Sequence, residues 1–215
     1  MAAAERPVVT VPRGRHAPPL EVRLSVQRRR LFEAAADVFA RVGYADASAE
    51  AISREAGMSK ATFYEHFANK EECIIALFDE AATEVMRAMA QASDAEEYAS
   101  YEERVAAGVR AFLQTLATYQ SSAQTLLVQI IGAGPRAAAR RDAILDAFAD
   151  SLYRDNLRAA PRYGAKTFAS RNDAFAIIGA SVELVSRSLR TGEPPDVLAL
   201  EPVITRLMLG ALARA

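Results

Sequence analysis

The chain has 215 residues, of which 51% are apolar and 25% charged, so it is long enough to bury a core and has the composition of a soluble globular protein of one or two domains. Its formal net charge is −1, which excludes a polycation, so any affinity for nucleic acid must come from a local patch. The single cysteine, Cys73, cannot form an internal disulfide, and the two histidines, His16 and His66, have no metal-ligand spacing.

The N-terminus has no pattern typical of a secretory signal. The start MAAAERPVV lacks an apolar run after a charged segment, and no later segment approaches the roughly 20 apolar residues that a membrane span requires. We therefore expect a protein of the reducing cytoplasm that has no cofactor and does not associate with a membrane.

Residues 1–20 carry four prolines and three arginines with little apolar periodicity, so they cannot bury enough surface to offset the entropy of ordering. We predict a disordered basic arm. Its segment PRGRH, residues 12–16, looks like the arginine-glycine-arginine core of an AT-hook, which lies in narrow minor grooves. A histidine replaces the usual following proline, and a solvated tail that adds salt-dependent DNA affinity is the favoured alternative.

Beyond the arm, apolar residues recur at three- and four-residue steps, which predicts an all-α chain. The first helix ends at Gly43, in the position of a C-terminal cap. A second helix covers about residues 48–56, and Ser59 caps a third. Asn69 and Glu72 have the spacing of a capping box for a fourth helix, which continues toward residue 89.

Five further helices are predicted by the same signals, with a chain break around Pro161 and Gly164. Their starts are marked, in chain order, by Asp94 with Glu97, by Ser122, by Pro135, by Ser170 with Asp173, and by the pair Pro194 and Pro195.

The short helices near the N-terminus coincide with a local excess of positive charge. Residues 1–70 hold eleven Lys and Arg against eight Asp and Glu, whereas the remainder holds fifteen against nineteen. A helix, a tight turn at Gly57 and a second helix is the layout of a helix-turn-helix, in which the second helix enters the major groove. The basic excess thus lies where a DNA-reading unit is predicted.

The third helix has two predicted faces. Phe63 and Phe67 lie one turn apart and are expected to anchor it in the core. The outward residues have the chemistry of DNA contacts, because hydroxyl, imidazole and ammonium groups donate to phosphates or base edges and a small side chain allows close approach. These outward residues are Lys60, Ala61, Thr62, Tyr64 and His66, and Lys70 at the start of the fourth helix is expected to contact a phosphate as well.

Three motifs lie close together in this part of the chain: Gly43 with Tyr44, then AISREAGMS, then TFYEHFANKEE, residues 62–72. Through these motifs, residues 28–78 resemble the TetR family of bacterial transcriptional regulators. The resemblance implies a homodimer that binds a palindromic operator, and a helical C-terminal domain that holds a small-molecule effector. Carried over position by position, it implies DNA contacts from Ser48, Ser59, Lys60, Ala61, Thr62, Tyr64, His66 and Lys70.

Two positions depart from the family pattern. Ala47 stands where a threonine usually caps the second helix, so Ser48 or Asp46 must supply the cap. Cys73 stands where a leucine is usual, which makes it a small buried residue rather than a reactive thiol.

We divide the chain into the arm (1–20), a helix-turn-helix domain (21–72) and a helical regulatory and dimerisation domain (73–215). For the last two helices the resemblance implies a four-helix dimer interface, with which the small residues 179–181 and the apolar face of residues 200–212 agree. Six residues either line an effector pocket or are simply core. They are Phe112, Tyr119, Gln124, Val128, Phe148 and Tyr153.

The expected function is that of a ligand-responsive regulator, a repressor that a small molecule releases from its operator. A helical adaptor with vestigial DNA binding is the alternative. The glycine-rich residues 132–137 imitate a dinucleotide-binding turn, but a helical pattern surrounds them and position 137 is alanine, so we do not expect an enzyme.

Overall fold

The fold is described from a computed structural model, which describes residues 19–94 and 97–212. In these ranges the chain is all-α, as predicted, and the secondary structure beyond helices is one isolated antiparallel bridge between Phe168 and Leu212. The nine α-helices of these ranges are α1 (Leu20–Asp46), α2 (Ala49–Glu55), α3 (Lys60–His66), α4 (Lys70–Asp94), α5 (Tyr101–Thr118), α6 (Gln120–Gln124), α7 (Pro135–Ala159), α8 (Arg171–Thr191) and α9 (Glu201–Gly210).

The predicted helix starts at Ser48, Ser59, Asn69 and Ser170 are confirmed by side-chain caps. The Ala51 amide donates to Ser48 Oγ at 3.1 Å, so Ser48 rather than Asp46 caps α2. The Glu72 amide donates to Asn69 Oδ1 at 2.9 Å at the start of α4. Each cap satisfies a donor that the helix itself leaves without a partner.

Several predicted boundaries were placed wrongly. The sixth helix begins at Gln120 rather than at Ser122, and α9 begins at Glu201, separated from Pro194 and Pro195 by a 3₁₀ turn at Val197–Leu200. Asp94 does not start the fifth helix: it is the last residue of α4, and Ser100 caps α5 by accepting from the Glu103 amide at 3.1 Å. The predicted arm lies outside the described residues up to position 18, while Leu20, counted in the arm, is the first residue of α1.

The segment predicted as one short apolar helix after Ser122 has three parts. Behind α6, residues Thr125–Gln129 form a π-helical turn and Ile130–Ala133 a 3₁₀ turn, and Pro135 then opens α7. The glycine-rich stretch is therefore a helix-to-helix connection. None of the described residues before it forms a strand, which is the element that a dinucleotide-binding turn requires.

Two hydrophobic clusters fill the molecule, and the first one crosses the predicted domain boundary at residue 72. It combines α1 to α3 with the first half of α4 and with residues from the second half of the chain. The latter are Leu126, Ile130, Ala133, Ala137 and Ile144. The second cluster is built by α5, α8 and α9 with neighbouring segments, and Phe148 packs against both.

Cys73 lies in the first cluster and is fully buried. Burial raises the pKa of its thiol to about 12, so the reactive thiolate form is suppressed at neutral pH.

None of the described helices is long and apolar enough to cross a bilayer.

The buried hydroxyl of Thr205 on α9 has no hydrogen-bond partner within the described residues. A buried polar group without a partner costs about 1–3 kcal/mol. We predict that Thr205→Val raises the free energy of unfolding by about 1 kcal/mol, measured by urea denaturation. Thr118→Val on the exposed end of α5 is the control and should change it by less than about 0.5 kcal/mol. A destabilised Thr205→Val variant would contradict the prediction.

Candidate nucleic-acid interface and effector cavity

The tight turn between α2 and α3 is held from both sides. Gly57 has a positive φ of 64° and lies so close to α1 that a Cβ would come within 3.3 Å of Arg30 Nη2. The same Nη2 donates to the Ala56 carbonyl at 2.8 Å, and the Met58 amide donates to the Ser53 carbonyl at 2.8 Å. The turn therefore fixes the angle between the two helices and ties both to α1. Helices α1 to α3 are called the reading unit below.

The inner side of α3 is packed as the sequence predicts. Phe63 is fully buried, and its ring centroid lies 5.5 Å from that of Phe67. Phe67 also contacts the ring of Phe32 on α1 at 5.4 Å. The Arg28 guanidinium stands over both the Phe32 and Phe67 rings, at 4.9 and 5.1 Å. These contacts stabilise a seven-residue helix that would not persist alone.

On the outer side of α3, Lys60, Ala61 and Tyr64 are exposed and Thr62 is half-buried. Tyr64 is 51% exposed, and its ring is oriented by an edge-on contact with Phe63. The Lys60 ammonium lies 5.9 Å from the Tyr64 ring centroid. Ser59 caps α3 by accepting from the Thr62 amide at 3.0 Å, so the Ser59 hydroxyl has a structural role in addition to any DNA contact.

His66 is half-buried at the end of α3, where its Nε2 lies 3.4 Å from Gln27 Oε1. Burial, followed by the positive charge of Arg28, lowers the pKa of His66 below its ordinary value of 6.5. At neutral pH the side chain is therefore an uncharged ring with a single N–H, which donates either to Gln27 Oε1 or, in exchange for that contact, to a phosphate, and it adds no positive charge.

Lys70 is placed differently from the sequence-based expectation. Its Nζ donates to the carbonyls of Tyr44, Ala45 and Ala47, at 2.8, 2.9 and 3.0 Å, and stands 4.6 Å from the Tyr44 ring centroid. All three donors of the ammonium group are thus used within the protein. Lys70 fastens the start of α4 to the end of α1, where unpaired carbonyls favour a cation.

The π-helical turn 125–129 joins the reading unit to the rest of the chain. Thr125 Oγ1 donates to the Ala36 carbonyl at 3.1 Å, and Gln129 Oε1 accepts from the Tyr44 amide at 3.2 Å. On the opposite side, the Ser186 hydroxyl of α8 donates to the Leu127 carbonyl at 3.2 Å. The turn therefore touches α1 and α8 at once.

An apolar cavity of about 80 Å³ lies beside this turn, and Leu126 and Leu127 belong to its wall. It adjoins a larger cavity of about 530 Å³, with which it shares Met89, Val109 and Phe148. Among the described residues, Ser181 is the only polar side chain in the wall of the inner, smaller cavity. The pair of cavities suits a ligand with a substantial apolar part.

Of the six residues predicted for the effector pocket, Phe112 and Phe148 line the apolar cavity. Tyr119 is 55% exposed at the end of α5 and lines a separate groove beside α1. Gln124, Val128 and Tyr153 line neither effector cavity. Helical spacing could not separate them, because pocket and core residues share the same period.

Residues 31–77 match the family described as bacterial regulatory proteins of the tetR family, and no curated relative matches. The fatty acid degradation regulator FadR from Bacillus halodurans is 22% identical, with a TM-score of 0.72 over 88% of this chain and 97% of that one.

Two further solved structures are similar over most of their length. FadR from Bacillus subtilis, in complex with stearoyl-CoA, is 22% identical with a TM-score of 0.73 over 86% of this chain and 99% of that one. The TetR-family regulator PfmR from Thermus thermophilus is 22% identical with a TM-score of 0.65 over 87% of this chain and 98% of that one. At this identity the similarity establishes the fold of both halves.

The contribution of the Lys70 contacts to the stability of the protein can be measured. We predict that Lys70→Met lowers the free energy of unfolding by about 1–3 kcal/mol, because three carbonyls at the end of α1 lose their donor. Thermal and urea denaturation measure the change. Lys60→Met, which removes an exposed ammonium from α3, should change stability by less than about 0.5 kcal/mol. Equal stability of the two variants would show that the Lys70 contacts are dispensable.

Proposed function

Since the helix-turn-helix segment of this chain belongs to the tetR family of bacterial regulatory proteins, we propose that the protein is a repressor that binds a palindromic operator as a homodimer and leaves it when a small molecule binds. The observation that carries the proposal is the outer face of α3. This face carries the exposed Lys60 and Tyr64 and the half-buried Thr62, and it belongs to a helix whose inner residue Phe63 is fully buried in the core.

In this proposal α3 enters the major groove. Lys60 and Thr62 reach base edges, Ala61 allows close approach, and Tyr64 and His66 donate to phosphates. Ser48 and Ser59 are exposed at the starts of α2 and α3, where each hydroxyl already accepts a capping hydrogen bond and can donate another to a phosphate. Lys70 contributes by fixing the position of α4 and by the field of its charge, since its donors are already occupied.

The homodimer is proposed to form through α8 and α9. Phe175 on α8 and Leu207 on α9 are each 40% exposed. Near Phe175, α8 also carries the small residues Ala176, Gly179 and Ala180. Small residues allow close helix approach, and exposed large apolar residues are typical of a surface that a partner covers. A two-fold axis there would position the α3 helices of the two protomers on two half-sites, roughly 34–36 Å apart or somewhat more.

The effector is proposed to bind in the two adjoining cavities with its apolar part among Phe112, Phe148 and Leu127. The stearoyl-CoA bound by the Bacillus subtilis structure supports an effector with a long apolar chain. A ligand there would press on the π-helical turn, which also holds Tyr44 through Gln129. Release requires a difference of about 1–3 kcal/mol in affinity for the two states.

The first test is selection of DNA from a library of random-sequence duplexes by the purified protein at near-physiological salt. We predict enrichment of a shared two-fold symmetric sequence. Tyr64→Ala with Lys60→Gln should abolish the enrichment, and Lys60→Gln alone should weaken it and relax the sequence preference at the base pair that Lys60 is proposed to contact. Lys166→Gln, at an exposed lysine between α7 and α8, is the charge-matched control and should bind like the wild type.

The selection also distinguishes the repressor from the adaptor alternative. If the protein is folded and dimeric yet enriches no sequence, the repressor proposal fails and an adaptor with vestigial DNA binding takes its place. If the double variant enriches the same sequence as the wild type, α3 is not the reading helix.

A separate prediction concerns the proposed dimer surface. Phe175→Glu with Leu207→Glu should convert a dimer to a monomer, because two carboxylates would be buried without partners in an apolar contact. Sedimentation equilibrium measures the change. Leu157→Glu replaces a leucine of α7 that is 44% exposed and should leave the dimer intact. Loss of dimers in this control and not in the double variant would place the interface elsewhere.

A further inference from the structure

Four charged side chains form a cluster where the last turn of α4, the first turn of α5 and the later part of α7 meet. Arg104 is only 5% exposed, and its guanidinium donates to both carboxylate oxygens of Asp155 at 2.6 and 2.8 Å. Arg158 donates to Asp155 as well, at 2.9 Å. Asp155 is thus held by two arginines at the distances of strong charge-assisted hydrogen bonds.

The fourth member, Asp94, is held much less well. One oxygen, Oδ1, lies 3.4 Å from Arg104 Nη2 and 3.5 Å from Arg158 Nη2. Both distances exceed the roughly 2.7–2.9 Å of a strong pair by about 0.5 Å or more, and the Asp94 side chain is 57% exposed. The position between the two guanidiniums therefore suits an anion, and the Asp94 carboxylate that lies there is held weakly enough for another anion to replace it.

This anion position lies on the wall of the proposed effector cavity. Asp94, Arg104 and Arg158 line both the 530 Å³ cavity and a neighbouring polar cavity of about 370 Å³. From the cluster inward, the wall becomes apolar through Met89 and Phe148 to the inner cavity. The path from the cluster inward thus passes from charged to almost wholly apolar surroundings.

We propose that the effector is an amphipathic anion whose carboxylate or phosphate displaces Asp94 from Arg104 and Arg158 while its apolar tail occupies the inner cavity. The inference rests on the proposed function in one respect, that the second half of the chain holds a small molecule. The head is anionic because Arg104 is buried and Asp155 neutralises only part of the two arginines' charge. The tail is apolar because, in the part of the chain that the structure describes, Ser181 alone brings a polar side chain to the surrounding wall.

Direct binding tests the proposal without DNA. Titration calorimetry is performed with dodecanoate, dodecyl phosphate and 1-dodecanol, each below its aggregation concentration. We expect the wild type to bind at least one of the two anions more tightly than the alcohol. The comparison between the anions distinguishes a carboxylate head from a phosphate head.

Variants separate the head contact from the tail contact. Asp94→Asn should tighten binding of the preferred anion about two- to fivefold, because a competing exposed carboxylate is removed. Arg158→Gln should weaken it about tenfold, because a charge-assisted hydrogen bond is lost. Neither change should alter binding of the alcohol. Arg190→Gln removes an exposed arginine of α8 that pairs with Glu183 and should change no affinity.

Three results would overturn the proposal. They are binding of the alcohol as tight as that of both anions, an Asp94→Asn variant that binds the anions no more tightly than the wild type, and failure of all three compounds to bind the folded protein. None of these results touches DNA selection, so the repressor proposal would stand or fall separately.

Discussion

The helix-turn-helix unit is completed by side chains from the other half of the chain. Its core includes Leu126 and Ile130, from the segment between α6 and α7, and Ile144 of α7. Buried apolar contact is the main stabilising term in a fold of this kind, so the orientation of α3 depends on where that segment lies. The predicted boundary at residue 72 does not separate two independently packed bodies, because the first hydrophobic cluster contains residues from both sides of it.

Polar contacts also fix the orientation of the reading unit where it meets Lys70 and the π-helical turn 125–129, a region called the joint below. Lys70 ties the start of α4 to the end of α1, and Gln129 ties the π-helical turn to Tyr44. The Gln129 hydrogen bond joins uncharged groups and contributes about 0.5–1.5 kcal/mol, whereas a hydrogen bond from the charged Lys70 ammonium contributes about 1.5–3 kcal/mol. Both values are comparable to the coupling free energy of about 1–3 kcal/mol that the proposed effector must supply. In the proposed function, the contacts that hold the reading unit are thus of a strength that ligand binding can offset.

The sequence predicts the parts of this arrangement that depend on local chemistry. The caps at Ser48, Ser59 and Asn69 are predictable because each of these polar side chains immediately precedes a segment with helical apolar periodicity. The burial of Phe63 and Phe67 is predictable because the two residues are one helical turn apart. Contacts between distant segments were not predictable. Lys70 has the sequence context of a phosphate ligand, and nothing local shows that its ammonium meets three carbonyls from the far end of α1.

Amide hydrogen exchange tests most directly whether the second half of the chain holds the reading unit in place. In a Gln129→Ala variant we predict faster exchange of the Tyr44 amide and of the α2 amides, with the free energy of global unfolding lowered by no more than about 1.5 kcal/mol. Gln120→Ala, at an exposed glutamine of α6, is the control and should exchange like the wild type. Unchanged exchange throughout residues 44–56 in Gln129→Ala would contradict the account, because the reading unit would then be positioned without the joint.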